Sequence, residues 1–296
     1  MDTPPICDYT DSDYQHSFWE QGGRAYEDAA EAVALRRLLP AGGKLLLELG
    51  AGAGRNTPRY QGFERVVLLD YSRTQLEQAR DRLGTDGRYI YTAADIYHLP
   101  FNPGIFDCAT MIRTLHHMAE PQRALAQVRR VLQPEALFIL EYANKQNLKA
   151  IARFTLGRQK WNPFSLEPVE FAALNYDFHP KAVRAWLQSS GFRVERQLTV
   201  SHYRAGIFKK VLPLRLLVWL DSLAQLSGNW WQLSPSVFAR CHAQGDTPPA
   251  AGSTLFACPA CGSSPLDESP AQVACPSCGW VYPLQDGIYD FRLNPG

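Results

Sequence analysis

Apolar residues in this chain gather into short runs separated by amphipathic stretches. Leu45–Leu49, Val66–Asp70 (VVLLD), Tyr89–Ala93, Phe106–Ile112 and Leu137–Tyr142 (LFILEY) are runs of five to seven residues with little alternation. Such runs predict strands buried on both faces. Ala25–Leu39, Ser72–Leu83 and Glu120–Leu132 lie before or between them, rich in helix formers, with Pro121 suited to a first helical turn. Strands and helices that alternate predict a parallel sheet covered by helices on both faces. The pattern loosens after Tyr142, where residues 143–178 are basic and aromatic. Pro180–Gly191 then reads as a helix with a glycine stop. FRVERQLTV (192–200) and SVFARCHA (236–243) supply a sixth and a seventh strand.

The most apolar segment, Val211–Leu226, is interrupted by Arg215 and Asp221. No stretch reaches the ~18 uninterrupted apolar residues of a membrane span. We read this segment as a cap helix over a substrate pocket, with a position flat on a membrane surface as the alternative. The aromatic-rich segments 143–178 and 202–235 are expected to fold over the open end of a cleft at the carboxyl ends of the strands. Gly245–Ser253 (GDTPPAAGS) has the composition of a linker. It divides the chain into residues 1–244 and a short, cysteine-rich unit at 254–296, expected to melt on its own.

The 296 residues are 46% hydrophobic and carry a formal net charge of +1. That supports a sizeable core and gives no reason to invoke nucleic acid or an anionic surface from composition alone. The N-terminal stretch MDTPPICDYTDSDYQ lacks the basic-then-apolar order of a signal peptide. Of seven cysteines, Cys7, Cys108 and Cys241 are solitary. Cys258, Cys261, Cys275 and Cys278 form two CPxCG knuckles. Doubled knuckles suit one tetrahedral zinc ion held by four thiolates, a closed and therefore structural site. Reduced thiols imply the cytoplasm. The cysteine-rich unit has a single basic residue, Arg292, against Asp267, Glu268, Asp286 and Asp290. That balance is wrong for phosphate contacts.

The first strand opens into LELGAGAG, residues 47–54. Glycines there let the backbone turn tightly and approach a ligand. Neither frame of the loop matches GxGxxG, and no GKS or GKT follows. Glu48 at the loop would repel a pyrophosphate and suits a ligand with an ammonium group. S-adenosylmethionine is such a ligand. Asp70 ends the second strand, where an acid accepts both ribose hydroxyls. Asp95, after the third strand, is placed to accept from an adenine amino group.

The motifs LELGAGAG, VVLLDYS, AADIYHLPF, FDCATMIRTLHHM and VRRVLQPEALFILEY, in that order, resemble the class I S-adenosylmethionine-dependent methyltransferases, in the branch that includes the ubiquinone/menaquinone type. The resemblance covers residues 20–243. It implies a Rossmann-like seven-stranded α/β sheet, its last strand antiparallel, and a cofactor site at Glu48, Gly50, Ala51, Gly52, Gly54, Asp70, Tyr71, Asp95, Ile96 and Arg113. Pro134-Glu135-Ala136 stands where relatives have Pro-Gly-Gly. CPSCGWVYPLQDGIYDF is similar to the small zinc-ribbon proteins that activate methyltransferases, which implies a stabilising role for the unit. Methyl transfer of this kind needs placement more than a base. His116, His117, Tyr142 and His179 are the candidates should a base be required. The acceptor stays unassigned, with a small molecule favoured over RNA or protein. Two other readings stay open: a catalytically silent scaffold, and a ribbon-led RNA or translation-factor binder.

Overall fold

The computed structural model describes residues 4–6, 23–246 and 254–293. Cys7 and most of the proposed linker lie outside them. In chain order the elements are α1 (Ala25–Leu38), β1 (Gly43–Leu49), β2 (Phe63–Asp70), α2 (Arg73–Leu83), β3 (Tyr89–Ala93), β4 (Phe106–Met111), α3 (Pro121–Val131) and β5 (Leu132–Ala143). Then follow α4 (Leu148–Thr155), β6 (Val169–Ala172), β7 (Asn175–Asp177), α5 (Pro180–Ser189), β8 (Phe192–Val200), α6 (Gly206–Val211), α7 (Leu214–Ala224) and β9 (Ser236–Ala243). The cysteine-rich unit adds β10 (Asp267–Glu268), β11 (Gln272–Ala274), β12 (Val281–Gln285) and β13 (Ile288–Asp290).

All seven expected strands form, in the order β3-β2-β1-β4-β5-β9-β8. β1 to β5 run parallel, and β9 pairs antiparallel with both β5 and β8. β1, β2 and β4 are buried along most of their length because helices cover both faces, which is why they read as apolar runs. Ser72 caps α2 by accepting from the Gln75 amide.

The cysteine-rich unit joins the sheet and core of the rest of the chain. β13 pairs parallel with β3, with Ile288 opposite Tyr91 and Asp290 opposite Ala93. β10 to β13 therefore extend one eleven-stranded sheet. Phe256, Tyr282 and Phe291 pack into the same core as Phe101, Phe106 and Ile90. Asn102 donates to the Phe256 and Thr254 carbonyls at 3.0 and 2.9 Å. Arg80 donates to the Asp286 carbonyl at 2.9 Å.

The Pro134-Glu135-Ala136 departure has a local cost. Glu135 sits at φ +59°, in the left-handed region where a glycine is at ease.

Candidate active site and metal centre

β1 to β4 end along one side of the sheet, and a cleft of about 990 Å³, measured with its open mouth, lies beyond their carboxyl ends. The loop after β1 forms its floor. The Gly50 and Ala51 amides donate to the Leu69 carbonyl at 2.8 and 3.0 Å. Gly50 has φ +69°, and a Cβ there would lie 2.1 Å from Thr114 Oγ1. No other residue fits. A Cβ on Gly52 would meet only Gln75, at 3.7 Å, so that face of the loop is open toward the cleft.

Asp70 lines the cleft and also fixes the loop. Its Oδ2 accepts from the Gly52 amide at 2.8 Å and its Oδ1 from the Ser72 amide at 2.9 Å. Asp95 caps the turn after β3. Its Oδ1 accepts from the Tyr97 amide at 2.8 Å, and its Oδ2 lies 2.9 Å from His98 Nδ1. Gly50, Ala51, Gly52, Asp70, Tyr71, Asp95, Ile96 and Arg113 all line the cleft.

Glu48 and Gly54 do not. Gly54 packs against Leu83 and Ala79 of α2. Glu48 lies beneath the loop, where it accepts from Thr57 Oγ1 at 2.6 Å and Tyr60 Oη at 3.2 Å. Burial pushes its carboxyl up to about 7, more than those hydrogen bonds and the nearby Arg55 and Arg59 pull it down. A carboxyl so placed organises the loop from below; it is not presented to an ammonium group in the cleft.

The sequence pattern gave no hint of the groups behind Arg113. Glu31 on α1 is fully buried. It pairs with Arg113 Nε at 2.7 Å and with Arg55 at 2.8 Å, and both arginines line the cleft. Burial raises the Glu31 carboxyl, but the two guanidiniums outweigh it and hold it at about 2. Arg113 itself has φ +56°, and its amide donates to the buried Glu141 at 2.8 Å. A bound ligand therefore meets arginines already fixed in direction.

The four base candidates separate. Only His117 lines the cleft. Its Nδ1 lies 3.0 Å from the Leu174 carbonyl and donates to it in the neutral ring. Burial lowers its proton affinity, as it does more strongly for the neighbouring His116. Tyr142 is fully buried, with Gln197 Nε2 3.4 Å from its hydroxyl. His179 caps α5 by accepting from the Lys181 amide. No residue of 143–178 or 202–235 lines the cleft. The turn between β6 and β7 reaches a lining residue, the Leu174 carbonyl lying 3.0 Å from His117 Nδ1. The expectation that both segments cover the mouth is not met: α7 packs on α1 through Leu217 and Asp221 instead.

Cys258, Cys261, Cys275 and Cys278 place four sulfurs within 4.8 Å of one another. Cys258 to Cys278 and Cys261 to Cys275 are each 3.6 Å apart. That is far beyond a disulfide bond and close to the edge of about 3.8 Å of a tetrahedron with 2.3 Å zinc–sulfur bonds. Tyr282 Oη, 3.0 Å from Cys258 Sγ, is placed to donate to a thiolate. The residues present fit a four-thiolate metal centre. The cysteine-rich unit reaches a cleft residue elsewhere: the Arg292 guanidinium, held by Asp290 at the end of β13, lies 5.6 Å from the centre of the Tyr71 ring.

Residues 47–140 match the family model described as a methyltransferase domain. The chain is 33% identical over 135 residues to the O-methyltransferase cnsE of Penicillium expansum, covering 42% of this chain and 48% of that protein. It is 28% identical over 153 residues to the demethylmenaquinone methyltransferase of Clavibacter sepedonicus, covering 51% and 62%. The chain thus spans about half the length of these curated relatives. Among solved structures, it resembles a chain of the complex between the Haloferax volcanii Trm112 methyltransferase activator and a methyltransferase, with TM-score 0.57, 15% identity, and coverage of 78% and 96%. An S-adenosylmethionine-dependent methyltransferase from Listeria monocytogenes gives TM-score 0.53, 18% identity, and coverage of 74% and 99%. At these identities the likeness is one of fold.

Proposed function

We propose that this chain, whose residues 47–140 match a methyltransferase domain, transfers a methyl group from S-adenosylmethionine to a small-molecule acceptor. One observation carries the reading: the glycine loop, Asp70 and Asp95 converge on a single cleft at the carboxyl edge of the sheet. Asp70, which lines the cleft, would hold the ribose hydroxyls. Tyr71 would pack on the adenine, and Asp95 with Ile96 would face its edge. Gly50, Ala51 and Gly52 would lie along the amino-acid tail, with Arg55 and Arg113 beside them. When bound, the cofactor supplies an electrophilic methyl on a sulfonium. The chain's part is to line up the acceptor for in-line transfer and to exclude water. His117, the base candidate that lines the cleft, would take the proton from a nucleophile that must lose one.

The metal centre would be structural: four thiolates leave no open position. The β13–β3 pairing supports a role in bracing the sheet edge, and the thiol set fits a reducing compartment such as the cytoplasm. The unit's acidic balance speaks against RNA binding through it.

The test is calorimetric titration with S-adenosylhomocysteine, together with a tritiated-methyl assay on fractionated small molecules, RNA and protein. Asp70→Ala removes hydrogen bonds to a charged acceptor, worth roughly 1.5–3 kcal/mol, so affinity should fall about tenfold or more. Unchanged affinity removes the ribose assignment. Binding without transfer to any fraction favours the silent scaffold.

A further inference from the structure

α7 buries one side and leaves the other bare. Inward, Leu217 and Asp221 face α1, and Asp221 accepts from Tyr26 Oη at 2.8 Å. Outward, Leu216, Trp219, Leu223, Leu226 and Trp230 recur every three or four residues along α7 and the turn that follows, all exposed. Trp230 is 78% exposed. α6 adds Ile207 and Val211, again i and i+4, at 68% and 72%. A helical stripe this apolar facing water calls for a partner.

The charges beside the stripe identify the partner. Residues 201–235 hold one acid, Asp221, which is buried; residues 143–166 hold none. Lys210 and Arg215 flank the stripe and are exposed. Lys149 and Arg153 on α4 join them, because the Leu148 amide donates to the Leu233 carbonyl at 2.9 Å and ties α4 to the end of the stripe. These four cations make no ion pair among the described residues. Lys209 differs: it is committed to the buried Glu27 at 2.7 Å. Exposed tryptophans and leucines, rimmed by cations that make no ion pair among the described residues and, within residues 201–235 and 143–166, free of exposed acids, match the interface of an anionic bilayer. A second copy of this chain would bring the same cations against themselves.

The geometry points to α6, α7 and Trp230–Trp231 as a surface that docks this protein, without crossing, on an anionic lipid membrane. The stripe stands one helix away from the cleft, since α1 carries both the α7 contact and the Glu31 that fixes Arg55 and Arg113. An acceptor partitioned into the lipid would then be delivered beside the site.

The test is co-sedimentation of the full chain with vesicles of phosphatidylcholine alone or with about one-quarter phosphatidylglycerol. Expected is binding to the anionic vesicles, a blue shift of tryptophan emission on binding, and weakening as salt rises. Leu223→Glu with Trp230→Glu should abolish binding. Lys210→Gln with Arg215→Gln should weaken it roughly tenfold or more. Affinity for S-adenosylhomocysteine should be unchanged in both variants, which shows that they fold and separates this proposal from the cofactor assignment. No binding, equal binding to both vesicle types, or unchanged binding in the variants overturns it. So does sedimentation velocity showing a dimer that the glutamate variants disrupt and that ignores vesicles.

Discussion

Glu48→Gln separates the two roles an acid beneath the glycine loop can have. The wild-type carboxyl is fully buried, and burial moves it from 4.5 to about 7. The folded chain therefore holds a proton that the unfolded chain releases. Stability from this group is fully present below pH 4.5 and is lost as pH rises toward 7. At about 1.4 kcal/mol for each tenfold change in proton affinity, the whole effect is about 3 kcal/mol, of which about 2.5 falls between pH 5 and pH 8. Glutamine keeps the shape and an acceptor for Thr57 but cannot ionise. Glu31, held at about 2, contributes equally to both proteins. Asp177, raised to about 6 by burial, contributes equally to both proteins. Denaturant titrations at pH 5 and pH 8 should thus show the variant losing about 2.5 kcal/mol less than wild type. Its affinity for S-adenosylhomocysteine should stay within about threefold, because Glu48 does not line the cleft. Parallel pH profiles would refute the burial argument. A tenfold or larger loss of affinity would return Glu48 to direct contact with the ligand.

Chelation should lower the melting temperature of the whole chain in one transition, because β13 and the cysteine-rich unit share sheet and core with the rest; two separated transitions in calorimetry would refute that. Arg292→Ala removes the cation over Tyr71 and should weaken S-adenosylhomocysteine binding by about two- to fivefold with metal content unchanged, as a cation–π contact is worth about 0.5–1 kcal/mol at such sites; equal affinity would place Tyr71 independently of the unit. Glu135→Gly relieves the left-handed backbone at φ +59° and should gain about 1 kcal/mol in denaturant melts.

The strands were legible because burial on both faces writes itself as apolar runs, and the knuckles because bringing four sulfurs together fixes the spacing of their cysteines. Placement of single acids was not. Glu27 and Glu31 look like an exposed helical face in AYEDAAEAV, yet both are buried, since Lys209, Arg55 and Arg113 neutralise them from elements far away in sequence. Glu48 sits in the expected motif, but which side of the loop it serves depends on Thr57 and Tyr60 reaching it first. β13 is three residues long and carries no pattern that names its partner. α7 read as a cap because apolar composition does not say which face is buried. Its orientation is set by Asp221, the residue that seemed to interrupt it, bonded to Tyr26.

The pairing of β13 with β3 also sets a schedule. Chains emerge from the ribosome N-terminus first. β3 is complete at residue 93, and its outer edge finds no sheet partner until residues 288–290 have been made. Through almost two hundred residues of synthesis that edge presents unpaired amides and carbonyls, a template for unwanted pairing with other nascent chains. Chains cut short before residue 288 should therefore aggregate more readily than the full chain.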